Sequence, residues 1–291
     1  MNYEGPVYRP PSEADSLLIQ ATVGCPHNKC TFCMIYKNGP RFKVRPVEVI
    51  KKDLEKAGQL YGPHVRRIFL PAGNTIAMRT EQLCAVCEYT RSLFPDLERL
   101  TVYGSSRYIH RKGPEKLKQL AQAGLSRVHA GLESGDDETL RRIRKGSTGA
   151  QQTEAGQWVM NAGMELSLYV LLGIAGRKYS ETHALETARV LNAINPDFIR
   201  FRTFVPKINT PMLDDVLTGR FEMLSPHEIL AETAMIIEEL KVDSFVASDH
   251  YSNYVNVQGR LPGEKEKMRR MIAEAMKKDV SGFRPFFIGR Q

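Results

Sequence analysis

Three cysteines lie close together near the amino terminus of this chain, at Cys25, Cys30 and Cys33. They follow the apolar run 17–23, which predicts a strand that ends just before a ligand loop. Thiolates so near in sequence can converge on one metal centre, and iron–sulfur clusters are held by such ligands. Three cysteines leave one iron of a four-iron cluster without a protein ligand. An open iron favours catalysis over simple electron transfer, because a substrate or cofactor can bind there.

A zinc site and disulfide bonds are two other uses of such cysteines. A structural zinc site takes a fourth Cys or His, and His27 lies between the first two cysteines, so these residues alone leave zinc open. Disulfides are disfavoured because five cysteines is an odd number and no secretory apolar segment precedes them. Cys84 and Cys87 lie inside a predicted helix, and we expect both to be buried thiols. A radical methylthiotransferase, which needs a second cluster, is therefore disfavoured.

The loop from Cys25 to Cys33, with the aromatic Phe32 just before the last cysteine, resembles the cluster loop of the radical S-adenosylmethionine (SAM) superfamily. In that superfamily the first two cysteines are usually closer together by one residue. The resemblance implies a 4Fe–4S cluster held by Cys25, Cys30 and Cys33, with Phe32 beside the cofactor and SAM bound at the open iron through its amino and carboxylate groups. The variant spacing weakens the transfer of any one subfamily's substrate.

Short apolar runs alternate with helical stretches along the chain, a pattern typical of βα units around a parallel sheet. Strands are predicted at 17–22, 67–70, 100–103, 127–132, 165–171 and 198–201. Helices are predicted between and after them at 46–61, 80–94, 114–123, 136–145, 151–162 and 180–194. Six βα units are two short of a complete barrel, and the resemblance implies the same α/β fold, a partial (β/α)6 TIM-like barrel.

We expect the chain to comprise an N-terminal segment (1–16), the partial barrel (17–224) and a C-terminal α/β extension (225–291) that covers the barrel mouth. The extension is predicted to hold a helix at 225–241, a short strand at 245–247 and a final helix at 264–278. In a barrel of this kind the site forms where loops follow the strands. The candidate residues should therefore fall directly after predicted strands, and they do.

Further resemblances follow the second and fourth strands. Gly73 and Asn74 resemble the glycine-rich loop that contacts the amino group of SAM, although one glycine of the usual pair is missing. The stretch around Glu133 resembles elongator-type and methylthiotransferase-type enzymes and, more loosely, coproporphyrinogen dehydrogenases. The resemblance implies that Glu133 faces the ribose or amino group of SAM and that Lys145 meets its carboxylate. Lys145, beside Gly146, can equally be a cation that complements a helix C-terminus.

The fifth strand is followed by Gly173 and Ile174, in a Gly-x-Ile-x-Gly-like stretch that in the superfamily edges the adenine of SAM. Arg202, at the end of the sixth strand, is a candidate to hold an anionic substrate, with loop solvation or pairing to a nearby aspartate as the alternative. His250 and Tyr254 lie in a polar, aromatic loop and are candidate hydrogen-donor or acid–base groups. A structurally bonded histidine is the alternative there.

The composition bounds the function. The 291 residues, 42% of them hydrophobic, suffice for one sizeable domain. The net charge of +8 favours an anionic partner, and no apolar run approaches a membrane span, so a cytoplasmic location is expected. The resemblance implies reductive cleavage of SAM to a 5′-deoxyadenosyl radical, hydrogen abstraction from a substrate, and an electron donor such as flavodoxin or ferredoxin. We expect this substrate to be small, and the basic charge indicates that it is anionic.

Two alternatives to that function stay open. A nucleic-acid-modifying enzyme, acting on RNA or tRNA, is suggested by the Glu133 stretch and the basic charge. It is disfavoured because the sequence shows no patch of interleaved aromatic and basic residues. A non-catalytic iron–sulfur or zinc protein is the other alternative, and an iron–sulfur carrier would require a fourth cysteine.

Overall fold

The computed structural model describes residues 3–5 and 7–290. The chain is an α/β protein with a mostly parallel sheet. Its strands are β1 (Leu17–Leu18), β2 (Thr22–Val23), β3 (Lys43–Val44), β4 (Arg67–Leu70), β5 (Arg99–Ser105), β6 (Arg127–Glu133), β7 (Glu165–Leu172), β8 (Phe198–Thr203), β9 (Phe245–Ala247) and β10 (Gln258–Arg260). Its α-helices are α1 (Val47–Tyr61), α2 (Thr80–Leu93), α3 (Ser106–Lys112), α4 (Pro114–Gln122), α5 (Asp137–Arg142), α6 (Gly149–Asn161), α7 (Ser180–Ile194), α8 (Pro211–Leu217), α9 (Pro226–Glu239) and α10 (Lys265–Met276).

The large sheet has the strand order β1-β4-β5-β6-β7-β8-β9-β10. Parallel pairing joins β1 to β4, β4 to β5, β7 to β8 and β8 to β9, whereas β9 and β10 pair antiparallel. A separate antiparallel pair is formed by β2 and β3. In this order, β1, β4 and β5 lie on one side of β6, and β7, β8, β9 and β10 lie on the other side.

The internal contacts of the chain divide it into two compact units. The first comprises the described part of residues 1–28, with 35–130 and 158–166. Its core is apolar: Ile50, Leu54 and Ala57 of α1 are fully buried at helical spacing. In the sheet, Ile68 and Phe69 of β4 are buried as well. Burial of each large apolar side chain of this kind contributes about 1.5–3 kcal/mol to the free energy of unfolding.

The second unit comprises residues 29–34, 131–157 and 167–291. It contains a helix pair, α7 and α9, that packs face to face. The start of α9 is fixed by a capping box in which Ser225 and Glu228 each accept a backbone N–H of the other. The residues of the predicted C-terminal extension lie in this unit, where β9 extends the sheet beside β8. The domain boundaries at 17 and 225 stay a prediction.

The predicted strands and helices are mostly found, with differences that have local causes. The first predicted strand, 17–22, is two short strands, because after β1 the chain turns to pair Thr22 and Val23 with β3. The sequence analysis did not predict α3, α8, β3 or β10. The helix predicted at 136–145 ends at Arg142. Among the described residues, no helix is both long and apolar enough to cross a membrane.

Candidate functional site

The first cysteine of the loop, Cys25, lies against the turn that follows β4. The Gly73 backbone N–H donates to the Gly24 carbonyl oxygen at 3.2 Å. A Cβ on Gly73 would lie 2.8 Å from the Cβ of Cys25 and 2.6 Å from the ring of Tyr36. Any side chain at position 73 would therefore displace Cys25 or Tyr36.

The same turn carries a strained residue and a buried amide. Ala72 adopts φ of 106°, a region that favours glycine. Asn74 is fully buried, and its Nδ2 donates to the Ser105 hydroxyl at 2.9 Å. Its side-chain carbonyl oxygen is buried and accepts no hydrogen bond. A buried acceptor in that state costs stability unless a ligand supplies a donor.

The other two cysteines lie in the second unit, on a short segment that is anchored on both sides of Thr31. The Thr31 N–H donates to the Ile143 carbonyl oxygen at 3.0 Å, and its own carbonyl accepts the Met212 N–H at 3.2 Å. Cys30 and Cys33 flank this anchor and are both partly exposed. Phe32 packs against the apolar cluster that includes Ile143, Ile174, Phe204 and Met212.

Glu133 and Lys145 form a buried ion pair, with Nζ 2.8 Å from Oε1 and side chains 15% and 9% exposed. Burial alone would lower the pKa of Lys145, but Glu133, Cys30 and Cys33 together raise it above its ordinary value. The Lys145 ammonium therefore lies within electrostatic range of Cys30 and Cys33. Lys145 stays charged and is paired with the Glu133 carboxylate.

Backbone geometry builds this pair. Glu133, the last residue of β6, has φ of 65°, an uncommon value that marks local strain outside glycine. A Cβ on Gly131 would lie 2.1 Å from Glu133 Oε1 and 2.8 Å from Lys145 Nζ, so the pair requires glycine there. Lys145 follows a Schellman ending of α5, in which its N–H donates to the Leu140 carbonyl at 2.9 Å. It lies past the helix end and is paired with Glu133.

Gly173 and Ile174 begin the turn after β7. Gly173 has φ of 77° and donates its N–H to Oε1 of Glu232 at 2.7 Å. Ile174 is buried and borders a recess of about 190 Å³. Ile143, Met212 and Phe221 also line the recess, together with polar groups of Thr139, Arg142, Asp215 and Arg220. An apolar edge of this kind lies where the sequence predicts the adenine contact.

Arg202 and His250 are brought together in the second unit. Arg202 lies in β8, and Asn253 anchors the loop that carries His250 to this strand. The Asn253 side chain donates to the Phe201 carbonyl and accepts from the Thr203 hydroxyl. Burial, then the nearby Arg202 and Lys207, lower the pKa of His250 to about 4, so its ring is neutral at pH 7. The ring nitrogen Nδ1 lies 2.7 Å from the Ser252 hydroxyl.

The Arg202 guanidinium lies 4.6 Å from the centre of the Tyr169 ring. Asp215, one of the aspartates considered as a partner for it, pairs with Arg220. Tyr254 is engaged elsewhere: its ring lies 4.3 Å from the Arg284 guanidinium and packs edge-on against Phe283.

A family model described as the radical SAM superfamily matches residues 19–188 of this chain, more than half of its length. The chain belongs to the radical SAM superfamily. It is an enzyme of that superfamily, and its cofactors are a 4Fe–4S cluster and SAM. The predicted resemblance and the predicted α/β fold class are confirmed.

One curated relative of this radical SAM enzyme is the bacteriochlorophyllide d C-8(2)-methyltransferase of Chlorobaculum tepidum, 27% identical over 142 residues that cover 45% of this chain and 29% of that protein. Methylornithine synthase has a TM-score of 0.56 at 16% identity, covering 88% of this chain and 68% of that one. Coproporphyrinogen III oxidase from Escherichia coli has a TM-score of 0.58 at 16% identity, covering 77% and 52%. This chain spans less than a third of the length of the curated relative.

The residues described fit these cofactors. Cysteine thiolates are the ligands that iron–sulfur clusters use, and the paired charges of Glu133 and Lys145 match the ammonium and carboxylate of an amino acid head. In the first unit, the buried Asn74 side-chain oxygen accepts no hydrogen bond from the residues that the structure describes, and it can accept one from a ligand. Among the residues that the structure describes, no three His, Cys, Asp or Glu side chains are already grouped to hold a metal ion. Ligation by the three loop cysteines therefore stays a prediction.

The remaining cysteines of this radical SAM enzyme behave as predicted only in part. Cys87 is buried, but Cys84 is partly exposed, so the prediction of two buried thiols was wrong for Cys84. The buried stripe of α2 passes through Leu83, Val86, Cys87 and Thr90, and position 84 lies beside it. Burial raises the pKa of both thiols, which disfavours the thiolate form that a metal needs.

Sequence reasoning missed a buried polar group behind the candidate site. His183 of α7, Glu232 of α9 and Ser134 after β6 are all buried and hydrogen-bonded within the second unit. The sequence does contain a signal for this group: His183 and Glu232 lie at positions that the helical pattern assigns to the apolar faces of α7 and α9. Polar residues at such positions are seldom fully buried without hydrogen-bond partners.

Proposed function

We propose that this radical SAM enzyme holds its 4Fe–4S cluster through Cys25, Cys30 and Cys33, cleaves SAM reductively, and uses the resulting 5′-deoxyadenosyl radical to take a hydrogen atom from a small anionic substrate. The observation that carries the proposal is the buried Glu133–Lys145 pair beside Cys30 and Cys33. Two opposite charges held in a protected place suit the amino acid head of SAM, which itself carries one of each sign.

The protein's own residues have three roles in this proposal. Lys145 and Glu133 orient the carboxylate and the ammonium of SAM, and Asn74 supplies an additional acceptor. The apolar segment around Phe32 and Ile174 excludes water from the site. Small electron-transfer proteins such as flavodoxin or ferredoxin are the proposed electron donors.

The substrate's charge is proposed from the surroundings of β8. Arg202 forms no ion pair with a carboxylate in the part of the chain that the structure describes, and Lys207 lies near the same histidine. The His250 ring, with a pKa of about 4, stays neutral beside these cations at pH 7 and adds no positive charge of its own. A carboxylate or phosphate on the substrate would be attracted to the two cations.

The cluster assignment is tested by anaerobic reconstitution with iron and sulfide, followed by dithionite and SAM. We expect 5′-deoxyadenosine to form. Cys30→Ala should abolish cluster loading, while the matched variant Cys84→Ala should load iron as the wild type does. Equal iron loss in both variants would show that the ligands are assigned wrongly, and a fully loaded wild type that forms no 5′-deoxyadenosine would overturn the reaction.

The substrate class is tested with cell extract fractionated on an anion exchanger. We expect the fraction that accelerates SAM cleavage to be retained on the column and to survive ribonuclease treatment. Arg202→Gln should reduce that acceleration about tenfold or more. Arg189→Gln, an exposed arginine paired with Glu186, should leave it unchanged. Acceleration only by material that flows through the column would contradict an anionic substrate.

A second candidate function is RNA modification, and one surface favours it. The Arg284 guanidinium lies between the rings of Tyr254 and Phe287, at 4.3 and 5.0 Å, and Lys207 lies over the ring of Tyr251. Tyr251 is 61% exposed. The sequence analysis expected no such combination of aromatic and basic residues, because its members are far apart in the chain. Single-stranded RNA binds surfaces of this composition, and loss of the accelerating activity on ribonuclease treatment would identify this function.

A further inference from the structure

The two turns that are proposed to hold SAM are joined by one buried polar network. The first turn begins at Glu133, the last residue of β6, and continues through Ser134, Gly135 and Asp136. The turn after β7 contains Gly173 and Ile174. Each turn donates backbone N–H groups to side chains of α7 or α9, and those side chains meet at His183 and Glu232.

The first half of the network holds the turn after β6. The Ser134 hydroxyl accepts the Asp136 N–H at 3.0 Å and lies within hydrogen-bonding distance, 2.8 Å, of Nδ1 of His183. The Gly135 N–H donates to the Thr187 hydroxyl at 2.9 Å. A Cβ on Gly135 would lie 2.3 Å from the Glu186 carbonyl oxygen, so the turn lies directly on α7. Displacement of α7 would therefore move the residue next to Glu133.

The second half holds the turn after β7. Glu232 accepts the Gly173 N–H on Oε1 at 2.7 Å and the Ser180 hydroxyl on its other oxygen. Nε2 of His183 lies 3.6 Å from the same Oε1, beyond hydrogen-bonding distance, and the two groups interact electrostatically. The tautomer that suits both neighbours has Nδ1 accepting the hydrogen bond of the Ser134 hydroxyl and Nε2 carrying the ring hydrogen, with its positive end toward the carboxylate. Burial lowers the pKa of His183, which keeps the ring neutral at pH 7.

This combination of Ser, His and Glu has no access to a substrate. Ser134 and His183 are 0% exposed and Glu232 is 2% exposed. A nucleophile or a general base has to reach a reacting group within hydrogen-bonding distance. The function left to such a network is to fix the position of what it binds, as the hydrogen-bonded partners of ligating residues do in other enzymes.

We propose that His183 and Glu232 are positioning residues that couple the two SAM-holding turns, so that Glu133 and Gly173 keep one fixed separation. The inference rests on the proposed function, because it assigns those turns to SAM. It predicts that the network sets the affinity for SAM and does not set cluster loading, since its contacts are made to the turns and not to the cysteine segment.

The test uses the whole protein, reconstituted anaerobically, and measures bound iron, the dissociation constant of SAM by equilibrium dialysis, and hydrogen exchange at residues 131–136 and 172–176. We expect His183→Leu and Glu232→Leu to weaken SAM binding about tenfold or more, to speed exchange in both turns, and to keep wild-type iron content. Glu232→Gln retains a carbonyl oxygen for the Gly173 N–H and should restore most of the affinity. Ser134→Ala, a milder change, tests the same link if a leucine variant does not fold.

The control is His129→Leu, which removes another fully buried histidine that contacts a buried glutamate, Glu13, at 3.0 Å. It should lower stability and leave SAM affinity unchanged. Wild-type SAM affinity in His183→Leu, Glu232→Leu and Ser134→Ala would overturn the inference, as would an equal loss in His129→Leu. Failure of the loaded wild type to bind SAM would instead overturn the proposed function.

Discussion

Gly73 lies so close to Cys25 that position 73 excludes any side chain. The Cβ of an alanine there would be 2.8 Å from the Cys25 Cβ and 2.6 Å from the Tyr36 ring, shorter than packed atoms tolerate. The backbone of Gly73 does not have a positive φ, so the effect of Gly73→Ala would be steric alone. We expect Gly73→Ala to move Cys25 and to lower the iron content after reconstitution by about half or more, at a stability cost of about 1–3 kcal/mol.

Gly263→Ala is the matched control, because a Cβ there has no neighbour within 4 Å and the backbone has no positive φ. Iron and sulfide per chain, with the unfolding midpoint, measure both variants. Full iron content in Gly73→Ala would mean that Cys25 can shift without leaving the cluster, or that it is not a ligand.

How far single residues could be predicted depends on what fixes them. The cysteines, Gly73, Glu133 and Gly173 were chosen as candidates because they lie at or near the ends of predicted strands. The Glu133–Lys145 contact could not be derived, since it depends on the left-handed backbone of Glu133 and of Arg144, and neither residue type signals that conformation. Tyr254 was assigned to the substrate loop from its neighbours in sequence, but its ring is covered by Arg284, which lies thirty positions later. Its role stays a prediction.

At the scale of elements, long periodic segments were predictable and short ones were not. The strand β4 and the helix α7 have the predicted bounds, because each combines an apolar pattern with a clear start signal. The helix α3 begins directly after β5 and has seven residues, too few for a periodic stripe. The break between β1 and β2 could not be predicted either, since both lie in one apolar run and differ only in their pairing partners.

The helix α9 offers a prediction at this scale, because it presents Glu232 to the turn after β7 and its first turn is held by a capping box. The Ser225 hydroxyl accepts the Glu228 N–H at 3.3 Å, and the Glu228 carboxylate accepts the Ser225 N–H at 2.7 Å. Ser225→Ala leaves one N–H without its acceptor and should lower the free energy of unfolding by about 1 kcal/mol.

Urea unfolding checks this value against Ser92→Ala, an exposed serine within α2, where alanine favours the helix and no loss is expected. An equal effect of the two substitutions would show that the serine cap does not fix the start of α9.

At the scale of the whole chain, the N-terminal segment is tied to the first unit by a buried carboxylate. Glu13 lies in the short 3-10 turn Pro11–Glu13, far in sequence from its partners. It contacts His129 at 3.0 Å, the Ser16 hydroxyl at 2.5 Å and Arg99 at 3.4 Å. Such a network could not be read from the sequence, because its members are up to 116 positions apart and only the sheet brings them together. The predicted boundary at residue 16 separates Glu13 from His129 and Arg99, so the segment 1–16 includes a residue of the first unit's buried interior.

The Glu13 network makes stability depend on pH in a defined direction. Burial would raise the pKa of Glu13, but the hydrogen bonds from His129 and Ser16 and the nearby Arg99 lower it from 4.5 to about 2. Because the folded pKa is the lower one, the contribution is complete above pH 4.5 and is lost as the pH falls toward 2. A shift of this size corresponds to about 3 kcal/mol. We expect the urea midpoint of the wild type to fall steeply between pH 5 and about pH 2.5.

Glu13→Gln should remove that part of the slope and destabilise the protein at pH 7 by about 3 kcal/mol, since it leaves the partly buried Arg99 and the fully buried His129 without a carboxylate. Glu274→Gln, an exposed glutamate that pairs with Lys277, is the control and should leave both the slope and the stability nearly unchanged. Urea titrations of the three proteins at matched pH values decide the matter. A slope in Glu13→Gln equal to that of the wild type would mean that other carboxylates carry the acid sensitivity and that Glu13 is held mainly by packing.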